Sequence, residues 1–145
     1  MDFRLYVSAL VSYNGKILLV QEQKEKHHGK WNLPGGHLEI GETTLEGALR
    51  ELKEETGYVA ETIIPIGKMS SSSGMTDEVV HAFIALNCQR VTEILDLDES
   101  EYIEPLVVSR KNFPQLILEE LASGRAVDPK MLAMMWYVDN YLQKT

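Results

Sequence analysis

With 145 residues, 44% of them hydrophobic and 25% charged, the chain has the size and composition of one globular domain, 1–145, with a core of its own. A single cysteine, Cys88, excludes an internal disulfide and any cysteine-based metal knuckle, and no apolar run approaches the about 20 residues of a membrane-crossing helix. The formal charge of −8 argues against stable binding to nucleic-acid backbone and is concentrated in two places, since 36–58 holds six acids and two bases and 96–104 holds five acids and no base.

The first half reads as strands broken by turns. Residues 6–11 begin a β-prone run ending at Asn14-Gly15, a strong hairpin signal because both residues tolerate positive φ. Residues 17–20 (ILLV) are fully apolar and read as a central strand. A polar, mostly basic loop follows at 24–30, including His27 and His28. It is either an ordinary surface loop or a steering patch for anions. Trp31-Asn32-Leu33-Pro34-Gly35-Gly36 supplies an aromatic anchor and a sharp turn. Residues 43–56 form the clearest helix, with Thr43 as cap, Glu46 completing a capping box, and Gly57 at the left-handed C-terminal position. Leu45, Ala48, Leu49 and Leu52 recur at helical spacing and predict one buried stripe. Strands are expected at 58–69, 79–87 and 102–108, with a short serine-rich loop at 70–74. Two helices close the chain, 112–122 and 129–142, the second capped by Asp128 with Pro129 in its first turn. No signal-peptide layout opens the chain, and a cytoplasmic location is expected. The fold class is α/β (α+β), a mixed sheet layered with helices.

The polar flank of the 43–56 helix carries the chemistry. Glu51 and Glu55, four residues apart, project in nearly the same direction, with Glu54 beside them. Like charges at this spacing weaken a helix by a few tenths of a kcal/mol per pair. They make sense around a divalent cation, which takes carboxylate oxygens. A solvated acidic face relieved by Arg50 and Lys53 is the plainer alternative.

The longer pattern decides between them. Gly36-HLEIG-Glu42-TTLEGAL-Arg50-Glu51-Leu52-Lys53-Glu54-Glu55-Thr56-Gly57-Tyr58 resembles the Nudix box, G-x5-E-x7-R-E-U-x-E-E-x-G-U. Gly36, Glu42, Arg50, Glu51, Glu54, Glu55 and Gly57 all match, a coincidence of roughly one in 10^8 windows at typical residue frequencies. Tyr58 stands where a bulky aliphatic residue is usual. The resemblance to this MutT-like hydrolase family implies an α/β/α sandwich that cleaves nucleoside diphosphate derivatives with Mg2+ or Mn2+. It also implies metal ligation by Glu51, Glu54, Glu55 and the Gly35 carbonyl, with catalytic parts for Arg50 and Glu54 and a structural one for Glu42. Non-catalytic sensors of this fold typically lose box carboxylates, and none is lost here.

Downstream, Ser72-Ser73-Gly74-Met75-Thr76-Asp77-Glu78 resembles the S-P-G-x-S-D-E stretch of ADP-ribose pyrophosphatases. The tail from Asp98 to Ala133, with Asp128-Pro129-Lys130, is similar to theirs. This resemblance implies substrate contacts at Gly36, Ser73, Gly74 and Glu78, and ADP-ribose or a related sugar-linked diphosphate as substrate. Ser73 replaces the motif's proline, so a MutT-like (d)NTP pyrophosphatase is the alternative. With the box carboxylates committed to metal, the base that takes a proton from water is expected in the 96–104 segment, at Glu101 first and Glu99 second. Trp31 reads as a core anchor before Pro34 or as a stacking partner for a base. Met131, Met134, Met135 and Trp136 read as core or as a homodimer surface.

Overall fold

Asn14 and Gly15 take φ of 49° and 72° and join strand β1, Leu5–Tyr13, to β2, Lys16–Glu22, with Tyr13 opposite Lys16. Positive φ at both central residues is what a two-residue type I′ hairpin needs. The computed structural model describes residues 5–22, 30–70, 74–75, 77–97 and 103–141. Within them the elements continue as β3 (Trp31–Asn32), β4 (Gly35–His37), α1 (Thr44–Thr56), β5 (Tyr58–Ser70), β6 (Val79–Arg90), β7 (Ile103–Ser109), α2 (Phe113–Ala122) and α3 (Pro129–Tyr141).

The strands form one mixed sheet in the order β3-β2-β1-β6-β5, with β4 on β1 and β7 on β2. Among the described residues only the β1–β6 pairing is parallel. β1 and β2 stay paired only near their hairpin, over Val11–Tyr13 and Lys16–Leu18. Beyond it, Tyr6–Ser8 of β1 pair with β4, while Val20 and Gln21 of β2 pair with β3. The chain from Trp31 to His37 therefore fills a fork between the two strands. It is pinned there by Ala9 N–H donating to the Pro34 carbonyl at 3.1 Å and by Ser8 Oγ donating to the same oxygen at 3.2 Å.

Strand alternation sends two cores to opposite faces. On one face Val7, Ala9, Val11, Leu18, Phe83 and Ala85 pack with Ala48 and Leu52 of α1. On the other, Leu10, Ile17, Leu19, Ala82 and Ile84 meet Phe113 and Ile117 of α2 and Met131, Met134, Met135 and Val138 of α3. The result is the expected α/β/α layering. The three methionines are core, whereas Trp136 is 62% exposed. Trp31 packs half-buried against the α2/α3 core. Among the described residues no helix is long and apolar enough to cross a membrane.

Several expectations are corrected. The 79–87 strand runs on to Arg90, and the 102–108 strand is Ile103–Ser109, with Tyr102 outside the described residues. The helix expected from 112 begins as a 3-10 turn, Arg110–Asn112, before α2. Leu45, expected in the buried stripe, is 42% exposed. The buried face of α1 is instead Gly47, Ala48, Leu52, Glu55 and Thr56. At 100° per residue this face is turned roughly 40° from the leucine stripe toward the glutamates. The apolar pattern fixed the period but not the phase, because the sheet also accommodates Glu55.

Candidate active site

α1 starts beside the fork. Thr43 Oγ1 accepts the Glu46 N–H at 3.1 Å and donates to Glu46 Oε1 at 3.0 Å, so both members of the capping box are engaged. The helix ends at Gly57, whose φ of 79° is left-handed and whose N–H donates to the Lys53 carbonyl at 2.9 Å.

Arg50 is the centre of the polar flank. Its Nε and Nη2 donate to the two oxygens of Glu42 at 2.6 and 3.0 Å. Nη1 donates to Glu51 Oε1 at 2.9 Å and Glu54 Oε2 at 3.0 Å, and Nη2 also donates to the His37 carbonyl at 3.2 Å. The planar fork of a guanidinium makes this paired recognition of carboxylates possible. The bond from Arg50 holds the Glu42 carboxyl below its ordinary value of 4.5. Burial pushes the Glu54 carboxyl the other way, with Arg50 opposing and Glu51 and Asp96 adding to the rise.

Glu55 follows a different course. It is 4% exposed, and its Oε2 accepts the Gly35 N–H at 3.3 Å. The next residue, Gly36, lies against Glu51, whose carboxylate fills the place a Cβ would take. A side chain at 36 would displace the Glu51 carboxylate from this position. Among the described residues, no three His, Cys, Asp or Glu side chains stand close enough together to hold one ion as placed, since Arg50 draws Glu51 and Glu54 while Glu55 faces Gly35. The donor set nevertheless fits a hard cation. It consists of carboxylates, four with Glu42 included, beside a glycine backbone and with Arg50 paired to three of them.

The other expected residues divide. Glu78 reaches the site's edge, its Oε2 3.4 Å from His37 Nε2. Gly74 stands in an exposed turn with nothing within 4 Å of a Cβ position. Ser73, Glu99 and Glu101 lie outside the described residues, as do 24–29 of the basic loop. The acidic segment does approach α1, for the Asp96 N–H donates to the Glu54 carbonyl at 3.0 Å. The half-buried Cys88 thiol is pushed up to about 11 by burial, away from reactive thiolate character.

Tyr6 joins the site through strand pairing rather than through any motif. Its ring meets His37 edge-to-face at 5.3 Å, and Lys130 Nζ lies 4.9 Å from the ring centroid. Burial first, then Glu55, Asp128, Glu51 and Glu78, push its hydroxyl well above its ordinary value. A strand tyrosine 30 residues from the box carries no sequence signal of this role; only the β1–β4 pairing, Tyr6 opposite His37, brings it there.

Comparison with known proteins adds a family match, the NUDIX domain over residues 2–133. The chain is 37% identical over 108 residues to an ADP-ribose pyrophosphatase of Bacillus subtilis (strain 168), covering 74% of this chain and 58% of that protein. It is 30% identical over 132 residues to a methanol dehydrogenase activator of Bacillus methanolicus, covering 91% of this chain and 69% of that one. A crystal structure of an ADP compounds hydrolase superposes with a TM-score of 0.79 at 20% identity, over 99% of this chain and 75% of that one, a likeness of fold.

Proposed function

The chain belongs to the Nudix family, and we propose that it hydrolyses the P–O–P bond of a nucleoside diphosphate linked to another moiety, with ADP-ribose or a related sugar-linked diphosphate as substrate. The observation that carries this reading is the gathering of Glu51 and Glu54 on Arg50, with Glu55 on the Gly35 N–H and Glu51 against Gly36, at strand β4. The name of the Bacillus subtilis relative and the Ser72–Glu78 and Asp128–Ala133 stretches support the substrate class.

In this reading Glu51, Glu54, Glu55 and the Gly35 carbonyl would hold Mg2+ or Mn2+, which would supply charge to neutralise the phosphates and polarise the bond to be broken. Arg50 keeps Glu51 and Glu54 aimed, and Glu42 fixes the far side of the guanidinium, a positioning part. Water attacks one phosphorus, the bridging P–O bond breaks, and the water's proton passes to a base, Glu101 or Glu99. Gly36, Ser73, Gly74 and Glu78 are assigned contacts with the substrate in this reading.

Comparing kcat/KM for ADP-ribose with that for dGTP and 8-oxo-dGTP tests the substrate class. ADP-ribose is expected to be favoured. A (d)NTP preferred by about tenfold or more would move the chain to the MutT-like alternative.

A further inference from the structure

The box does not account for Lys130. This residue stands in the first turn of α3, where unpaired N–H groups form a positive end that favours an acid. A cation there breaks local consistency, and such breaks gather at functional positions. Nor is the ammonium placed in open water: the side chain is 15% exposed and lies over the Tyr6 ring. Asp128 holds it from one side, with Nζ donating to Oδ2 at 2.8 Å, while Oδ1 accepts the Lys130 N–H at 2.9 Å. An ammonium has three donors. Asp128 takes one, and the others have no acceptor among the described residues.

Tyr6 connects this ammonium to the carboxylates. Its Cε1 stands 3.0 Å from a Cβ position on Gly35, and its ring packs against His37. Those residues flank Gly36, which lies on Glu51, and the Gly35 N–H donates to Glu55. Arg50 is already committed to four carboxylates, those of Glu39, Glu42, Glu51 and Glu54. Lys130 thus presents a positive charge with unspent donors one aromatic ring from the metal-holding groups. A strongly hydrated point charge of this kind suits a phosphate oxygen.

We propose that Lys130, positioned by Asp128 and the Tyr6 ring, binds a non-bridging phosphate oxygen of the diphosphate substrate. This rests on the reading of the chain as a diphosphate hydrolase.

Calorimetric titration of inorganic pyrophosphate, with magnesium, into wild type, Lys130→Met and Lys130→Arg tests it. The methionine keeps packing on Tyr6 and removes the charge; affinity is expected to fall about tenfold, with the arginine within about threefold of wild type. With ADP-ribose as substrate, Lys130→Met should raise KM about tenfold and leave kcat within about threefold. Asp128→Asn, which keeps a cap acceptor but frees the ammonium, should lower pyrophosphate affinity about threefold, and it serves if Lys130→Met folds poorly. Equal pyrophosphate affinity in wild type and Lys130→Met, or no binding by wild type, would overturn the inference. Failure of wild type to cleave ADP-ribose would instead overturn the functional reading, while the pyrophosphate titration still decides the part of Lys130.

Discussion

Glu55 is the residue on which the site turns, because it is a carboxylate set into the protein wall that accepts the Gly35 N–H. Replacing it with Gln keeps an oxygen acceptor for that N–H and removes a negative charge from a crowded group. Glu55→Gln is therefore expected to lower kcat by at least about 10²-fold by weakening the cation site. In metal-free buffer it should unfold at the same temperature as wild type or higher, because carboxylate repulsion is relieved. A lowered melting point without metal would show that Glu55 is a stabilising group first. The base is a second residue-scale question. Glu101→Gln should lower kcat about 10²-fold with KM little changed, and the acidic limb of the pH–rate profile should move or vanish. Wild-type kcat in single and double Gln variants at 99 and 101 across about pH 6–9 would place the base elsewhere. The box residues were legible in the sequence because their chemistry fixes both type and spacing. Tyr6 and Lys130 were not, because their meeting depends on pairing between β1 and β4 and on where α3 starts.

At the scale of elements, α1 does two jobs, burying Ala48 and Leu52 while holding its acids toward the fork. Its C-terminus also docks the segment that leads toward the expected base. The Val91 N–H donates to the Gly57 carbonyl at 2.8 Å, and the Asp96 N–H to that of Glu54 at 3.0 Å. A Cβ on Gly57 would meet the Thr92 carbonyl and sit on left-handed backbone. Gly57→Ala is expected to cost at least about 2 kcal/mol, from the left-handed conformation together with the overlap. Differential scanning calorimetry should show this as a fall of about 4–8 °C in Tm. An unchanged Tm would mean that the 91–97 segment moves aside freely. Most strands and both ends of α1 were readable, since the Asn14-Gly15 turn, the Thr43 cap and Gly57 each follow from backbone chemistry. The phase of α1 was not, because an amphipathic stripe gives a helix its period, while the sheet beneath decides which flank is buried.

At the scale of the whole molecule, the two cores share their strands. β1 contributes Leu10 to one face and Val7, Ala9 and Val11 to the other, and β6 divides Ala82 and Ile84 from Phe83 and Ala85 in the same way. Loss of either strand removes both cores at once, so we propose that the chain unfolds as one domain. Urea transitions followed by far-ultraviolet circular dichroism and by tryptophan fluorescence should coincide. Two separated midpoints would divide the chain into independent units. That shared sheet also holds the fork in which Gly35, Glu51, Glu55 and Tyr6 meet, so the rigidity of the core serves the proposed reaction directly. The most direct measurement is product analysis of ADP-ribose incubated with the protein and Mg2+, with and without excess EDTA. The account predicts AMP and ribose 5-phosphate in equal amounts with the cation and none once EDTA removes it. Intact ADP-ribose in the presence of Mg2+, or equal turnover in EDTA, would contradict it.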